Sequence, residues 1–188
     1  MTTLTTLTTL IRYIINDTSK SMIPGDIFTY GSSAIFTLTE SNPIAISDVL
    51  VNDSSSGVTY SFSSTRNKVT ITSSLTSGDT VEIQYTYYPN YSDNEIANYI
   101  QSTIVHLSIN NYYTFEIGSD NTIYPEPDDN EANLLAFLTA TLIEPNNISY
   151  SLPDMRITVP KSLPKEDLIR KAIAIFKHQS HGIFEIVD

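Results

Sequence analysis

The residues best suited to chemistry in this 188-residue sequence are its three histidines. His178 and His181 would offer two imidazoles from one face of a helix, but a metal site needs a third ligand and none stands at a matching spacing. His106 lies in the apolar stretch Ile104–Leu107, where a histidine is more often part of a core or an interface than a general base. We therefore expect neither a metal site nor a cofactor.

A short acidic run is the second candidate. It resembles a calcium-binding loop only in charge, since the alternating oxygen ligands, the turn glycine and the closing glutamate are missing. Asp128 and Glu131 instead have the spacing of a capping box, in which each side chain satisfies the other residue's backbone N–H at the start of a helix. The run comprises Glu126, Asp128, Asp129 and Glu131.

Glycine-rich phosphate loops and nucleophile-elbow motifs are both absent from the sequence. We therefore predict a protein that is not an enzyme. The enzyme alternative is a small hydrolase, which would need a pocket that gathers His106 or His178 with carboxylates.

The charge balance limits the possible partners. Ten Lys and Arg residues against 21 Asp and Glu residues give a net charge of −11, and every charged residue between Lys68 and Arg156 is acidic. Binding to a phosphate backbone requires the opposite sign, so we do not expect this region to bind nucleic acid specifically. Two interpretations remain: a solvated acidic surface, or a wall past which DNA slides without sticking.

Disulfides and thiolate metal sites are excluded because the sequence contains no cysteine. The N-terminus lacks the basic start, the apolar core and the cleavage site of a signal peptide. No apolar run approaches 18 residues, so we expect no membrane-spanning segment.

The elements that would position these residues follow from apolar periodicity. A first helix is predicted over about Thr5–Asn16, and a second begins at Ser92, where Ser92 and Glu95 form another capping-box pattern. A third helix runs from Asp128 to Ile143, and a fourth opens at Pro164. Between the first two helices, alternation predicts six strands: Ile27–Tyr30, Ile35–Thr39, Ile44–Val51, Val58–Ser63, Lys68–Thr72 and Val81–Tyr88.

These elements predict an α+β protein, a small helical bundle with an inserted antiparallel β-sandwich or small barrel. The predicted helical core comprises residues 1–24 and 89–188, with an extended C-terminal segment, and the β module comprises residues 25–88. The first helix is too short to be stable alone, so we expect it to pack on the later helices across the insertion.

Three segments together resemble one protein family. Leu10–Asp17, which contains Arg12 and ends at Asp17, is followed much later by the helix start Tyr91–Ile100, and the strand Gly78–Tyr85 precedes that helix. In this order they are similar to the head-to-tail adaptor, or connector, proteins of tailed bacteriophages, over about the first 110 residues. Residues 111–160 do not match the family pattern.

The resemblance implies a virion structural protein located in the neck, at the head–tail interface, and made in the host cytoplasm. It implies a ring homo-oligomer, typically a dodecamer, that binds the portal protein on one side and a stopper or tail protein on the other. DNA would pass through the ring without specific binding.

Two sets of residues are candidates for these roles. The acidic residues Glu126, Asp128, Asp129 and Glu131 would line the DNA channel. The C-terminal residues Ile183, Phe184, Glu185, Ile186 and Val187 have strand character and would add to a sheet edge of the portal.

Two other structural roles remain open. One is a virion-surface or fibre-associated binding module that uses the β domain and its tyrosines, and the other is a different neck or tail-completion protein.

Overall fold

In the computed structural model, the described residues are 2–109, 114–144, 149–152, 155–158 and the single helical residues Asp167, Arg170 and Ala174. The chain forms two compact units. The helical unit comprises residues 1–16 and 93–188, and the β unit comprises residues 17–92. The predicted β module, residues 25–88, lies inside the β unit. The predicted α+β class is confirmed.

The helices of the described part of the chain are α1 (Leu4–Ile14), α2 (Asp93–Ile109) and α3 (Asp129–Ile143), and they belong to the helical unit. That unit also contains two antiparallel hairpins, which are β7 (Glu116–Ile117) with β8 (Ile123–Tyr124), and β9 (Ser149–Leu152) with β10 (Met155–Thr158). The strands of the β unit are β1 (Lys20–Thr29), β2 (Ile35–Thr37), β3 (Pro43–Val51), β4 (Tyr60–Ser63), β5 (Lys68–Ile71) and β6 (Thr80–Tyr87).

Helix α1 is stabilised by a cap at its N-terminus and by the packing of one face. Thr3 is the N-cap: its hydroxyl accepts the N–H of Thr6 (3.3 Å), and the Thr6 hydroxyl accepts the N–H of Thr3 (3.0 Å). Leu7 and Ile11 form the buried face. These contacts compensate for the weak helix propensity of the intervening threonines.

Helix α3 is the centre of the helical unit, because α1 and α2 both pack against it. All ten residues from Leu134 to Ile143 are buried. Since a helix buried on every side needs apolar residues all round, the charge-free sequence of this segment explains its position. The predicted third helix, Asp128 to Ile143, is therefore present, and it is buried on every side from Leu134 onwards.

The six predicted strands of the β unit are all present, and they form two three-stranded antiparallel sheets. Sheet I has the order β1-β6-β3, and sheet II has the order β2-β5-β4. Both contribute to one hydrophobic core: Phe36, Leu38, Val49, Val69, Ile71, Val81, Ile83 and Tyr85. Val81, Ile83 and Tyr85, which alternate along β6, all face this core.

Strand β1 begins seven residues earlier than predicted, at Lys20, because a bulge accommodates Pro24 and Gly25. The register with β6 shifts between Met22 and Asp26. At Gly25 an added Cβ would lie 2.1 Å from the carbonyl oxygen of Ile83, so only glycine allows this close approach.

We predict that Gly25→Ala lowers the free energy of unfolding of the β unit by about 3 kcal/mol, because the backbone of β1 must move away from β6. Gly31→Ala is the matched control, since an added Cβ there meets no atom within 4 Å. Urea denaturation measures both, and equal stability of the two variants would contradict the role of Gly25.

Candidate functional site

An ion pair between a buried arginine and an exposed aspartate joins two helices of the helical unit. The Nη2 atom of Arg12, near the end of α1, donates to the Oδ1 atom of Asp93 at 2.8 Å. The Arg12 side chain is only 5% exposed, whereas that of Asp93 is 70% exposed. Asp93 is also the first residue of α2, where the helix dipole favours a negative charge. The pair fixes the point where the chain leaves this unit next to the point where it returns.

A buried carboxylate does the same inside the β unit. Asp17 is fully buried, and its Oδ1 atom accepts the backbone N–H (3.1 Å) and the side-chain amide (3.3 Å) of Asn90. Its Oδ2 atom accepts the N–H of Tyr91 at 3.3 Å. The first residue of the unit is therefore bound to residues near its end, and one buried carboxylate accepts three hydrogen bonds.

The segment Gly78–Tyr85, which carries part of the family resemblance, begins with turn chemistry. Gly78 has φ = 98°, a conformation that favours glycine. Asp79 accepts the N–H of Thr76 (2.7 Å) and the side-chain amide of Asn52 (2.8 Å). These two hydrogen bonds lower the pKa of Asp79 below its ordinary value. The turn sets the start of the central strand β6.

A tyrosine lies at the polar centre of the β-unit core. The hydroxyl of Tyr85, which is fully buried, donates to Asp26 Oδ2 (2.9 Å) and accepts the N–H of Glu40 (3.2 Å). Asp26 Oδ2 also accepts the N–H of Thr39 (2.7 Å). Burial raises the pKa of Tyr85 from 10.0 to about 12. This network holds the connection between β2 and β3 against sheet I.

The structure brings the four predicted acidic residues to the start of α3. Asp128 Oδ1 accepts the N–H of Glu131 (2.8 Å), and Glu131 Oε2 accepts the N–H of Asp128 (2.9 Å), so the predicted capping box is confirmed. Asp129 is the first residue of α3, and both Asp129 and Glu126 are exposed. Two of the four carboxylates therefore stabilise the helix, and two face solvent.

The β7–β8 hairpin adds two further carboxylates just before this cluster. Asp120 accepts the N–H of Thr122 (3.1 Å) and the hydroxyl of Tyr124 (3.0 Å), and these hydrogen bonds lower the pKa of Asp120. Glu116 is exposed in β7, in register with Tyr124. We call residues 116–131 the acidic segment. Glu116 and Asp120 were not among the predicted channel residues, although both lie in the same interval without Lys or Arg.

The other candidates are placed as follows. His106 is half-buried on α2. Across the described residues, no group of three or more His, Asp or Glu side chains is arranged to hold a metal ion. His178, His181 and the predicted portal-contact residues Ile183 to Val187 lie outside the described residues.

Searches against known proteins identified no relative: no family model and no curated protein matches this chain. Among the described residues, no helix combines the length and apolar character that a membrane span requires.

We predict that Asp17→Ala lowers the free energy of unfolding by about 3 kcal/mol, because it removes the buried carboxylate that accepts three hydrogen bonds from Asn90 and Tyr91. Asp17→Asn keeps one acceptor oxygen, so its loss should be smaller. Chemical denaturation checks this order, and wild-type stability in both variants would contradict the role of Asp17.

We predict that Tyr85 makes the free energy of unfolding depend on pH in the alkaline range. A group whose pKa is higher in the folded state contributes stability that is complete below its unfolded pKa and is lost as the pH rises through the folded pKa. The stability difference between wild type and Tyr85→Phe should thus be constant below pH 10 and shrink towards pH 12. The comparison cancels the other tyrosines and the lysines, and a difference that stays constant up to pH 12 would contradict the assignment.

Proposed function

We propose that this protein is a head-to-tail adaptor of a tailed bacteriophage, a virion structural protein that forms a ring between portal and tail around the DNA channel. In this proposal the helical unit is a small bundle and the β unit is an inserted sandwich. One observation supports it most. The charged residues of the resembling segments, Arg12, Asp17 and Asp93, make the contacts that close the two units where the chain passes between them.

The segments that resemble the adaptor family thus contain residues on which the fold depends. Arg12 and Asp17 are buried, and a buried charge is tolerated only where its partners are in place. Asp79 and Gly78 set the turn into β6. A chance likeness in a sequence rich in Ser, Thr and Asn would have no reason to fall on these positions.

The acidic segment supports a passage for DNA. Its carboxylates lie in an interval without any Lys or Arg, so they repel the phosphate backbone and release no counterions. The repulsion acts over a Debye length, about 8 Å at physiological salt. Placed at the inner surface of a ring, Glu126 and Asp129 would keep DNA centred and mobile.

The two ends of the ring would hold different partners. We propose that Ile183 to Val187 add as a strand to the portal protein, since backbone pairing with a sheet edge gives affinity independently of a pocket. The opposite end would hold the stopper or tail protein, and the site of action would be the neck of the virion.

The ring is directly measurable. Native mass spectrometry of the full-length protein should give a single closed oligomer, with twelve copies of the 20.9 kDa chain as the expected number. Negative-stain electron microscopy should show a central opening. A protein that stays monomeric both alone and with the portal would contradict the proposal.

The proposed portal contact of the C-terminal residues Ile183 to Val187 can be tested separately. The double variant Ile186→Asp, Val187→Asp should assemble like wild type but fail to bind the portal, because two charges oppose burial at the strand contact. Pull-down with the portal of the same phage measures this. Undiminished binding would refute the role of the C-terminal segment in portal binding, but it would not contradict the proposal that the protein forms a ring.

A further inference from the structure

The two sheets of the β unit turn differently charged faces to solvent. In β6, Val81 and Ile83 face the shared core, so Glu82 between them lies on the outer face of sheet I. In β5, Val69 and Ile71 face the same core, so Lys68 lies on the outer face of sheet II. The carboxylate and the ammonium therefore point away from opposite sides of the β unit.

The outer face of sheet I combines its carboxylate with apolar side chains. Glu82 stands in register between Ile27 of β1 and Leu50 of β3. Ile27 is 64% exposed, so a large aliphatic side chain stands beside the carboxylate and is accessible to a partner. The amide of Gly25 (3.1 Å) and the Gln84 side chain (2.8 Å) both donate to Glu82 Oε1. The carboxylate is thereby held in place, with Oε2 left to accept from a further donor.

The outer face of sheet II carries the complementary set. Lys68 is exposed in the central strand β5, and within the described part of the chain it makes no ion pair. Ile35 of β2 is 52% exposed and pairs with Thr70, the next residue on the same face of β5. Arg66, in the turn before β5, adds a second exposed positive charge.

We propose that the outer face of sheet I docks on the outer face of sheet II of a second copy of this chain, with Glu82 of one copy paired with Lys68 of the next. Facing sheets pack about 10 Å apart, a gap that these two side chains span together. Ile27 and Ile35 would be covered in the same contact, and the lysine stem packs on aliphatic surface.

The partner is a second copy because of the charge balance. Subunits with a net charge of −11 repel one another unless a basic surface meets an acidic one. Lys20, Arg66 and Lys68 are the basic residues of the β unit, and two of them belong to the sheet II side. Because different faces meet, the contact is head-to-tail, the type that closes into rings. This inference rests on the proposed ring and names the surfaces that build it.

The test is a charge reversal in the full-length protein. Lys68→Glu and Glu82→Lys should each raise the concentration needed for half-assembly at least about tenfold, and the double variant should restore assembly, because the pair is reformed with reversed polarity. Sedimentation velocity over a concentration series measures assembly. Lys20→Glu is the control, because it makes the same charge change at the start of β1 and should assemble like wild type.

The possible outcomes distinguish a wrong contact surface from a wrong proposed function. Glu82→Lys gives up two hydrogen bonds, so its fold is checked by circular dichroism; if it unfolds, Lys68→Glu and Glu82→Gln decide alone. Wild-type assembly by Lys68→Glu, or equal loss in Lys20→Glu, would overturn the inference and leave the ring standing. A wild type that stays monomeric both alone and with the portal would instead overturn the proposed function itself.

Discussion

The constraint on which the structure depends is the burial of two charges, Arg12 and Asp17, five residues apart at the end of α1. An uncompensated buried charge destabilises a protein by several kcal/mol, so each must keep its partners. Asp93 accompanies Arg12, and the donors of Asn90 and Tyr91 surround Asp17. Residues more than seventy positions apart in the sequence are thereby held together within each unit: Arg12 with Asp93 in the helical unit, and Asp17 with Asn90 and Tyr91 in the 76-residue β unit (92 − 17 + 1).

Each of the two units has its own core. Helix α3 supplies a core buried on all sides for α1 and α2, and its charged residues are gathered at its start. The β unit has its own core, with Tyr85 as the internal anchor and Gly25 as the point of closest backbone approach. The proposed roles fit this division, since the helical unit carries the acidic segment and the β unit presents complementary faces for assembly.

Sequence periodicity was sufficient for the α+β class and the six strands of the β unit, and residue spacing was sufficient for the capping box of Asp128 and Glu131. These features depend on residues close in sequence. Three others were not predicted, because each depends on a contact between distant residues. They are the pairing of Arg12 with Asp93, the hydrogen bonds of Asp17, and the extension of β1 through Pro24 and Gly25. Glu126, Asp128, Asp129 and Glu131 lie together at the start of α3 because they are close in sequence, whereas Glu116 and Asp120 of the preceding hairpin were not among the predicted residues.

The central claim is that the β unit is a complete insertion, closed by Asp17. The most direct test is the amide NMR spectrum of a fragment containing residues 17–92 alone. The account predicts dispersed resonances, with the Asn90 and Tyr91 amides protected from exchange in the wild-type fragment and exposed in Asp17→Ala. A collapsed spectrum for the wild-type fragment, or unprotected amides at both positions, would contradict it.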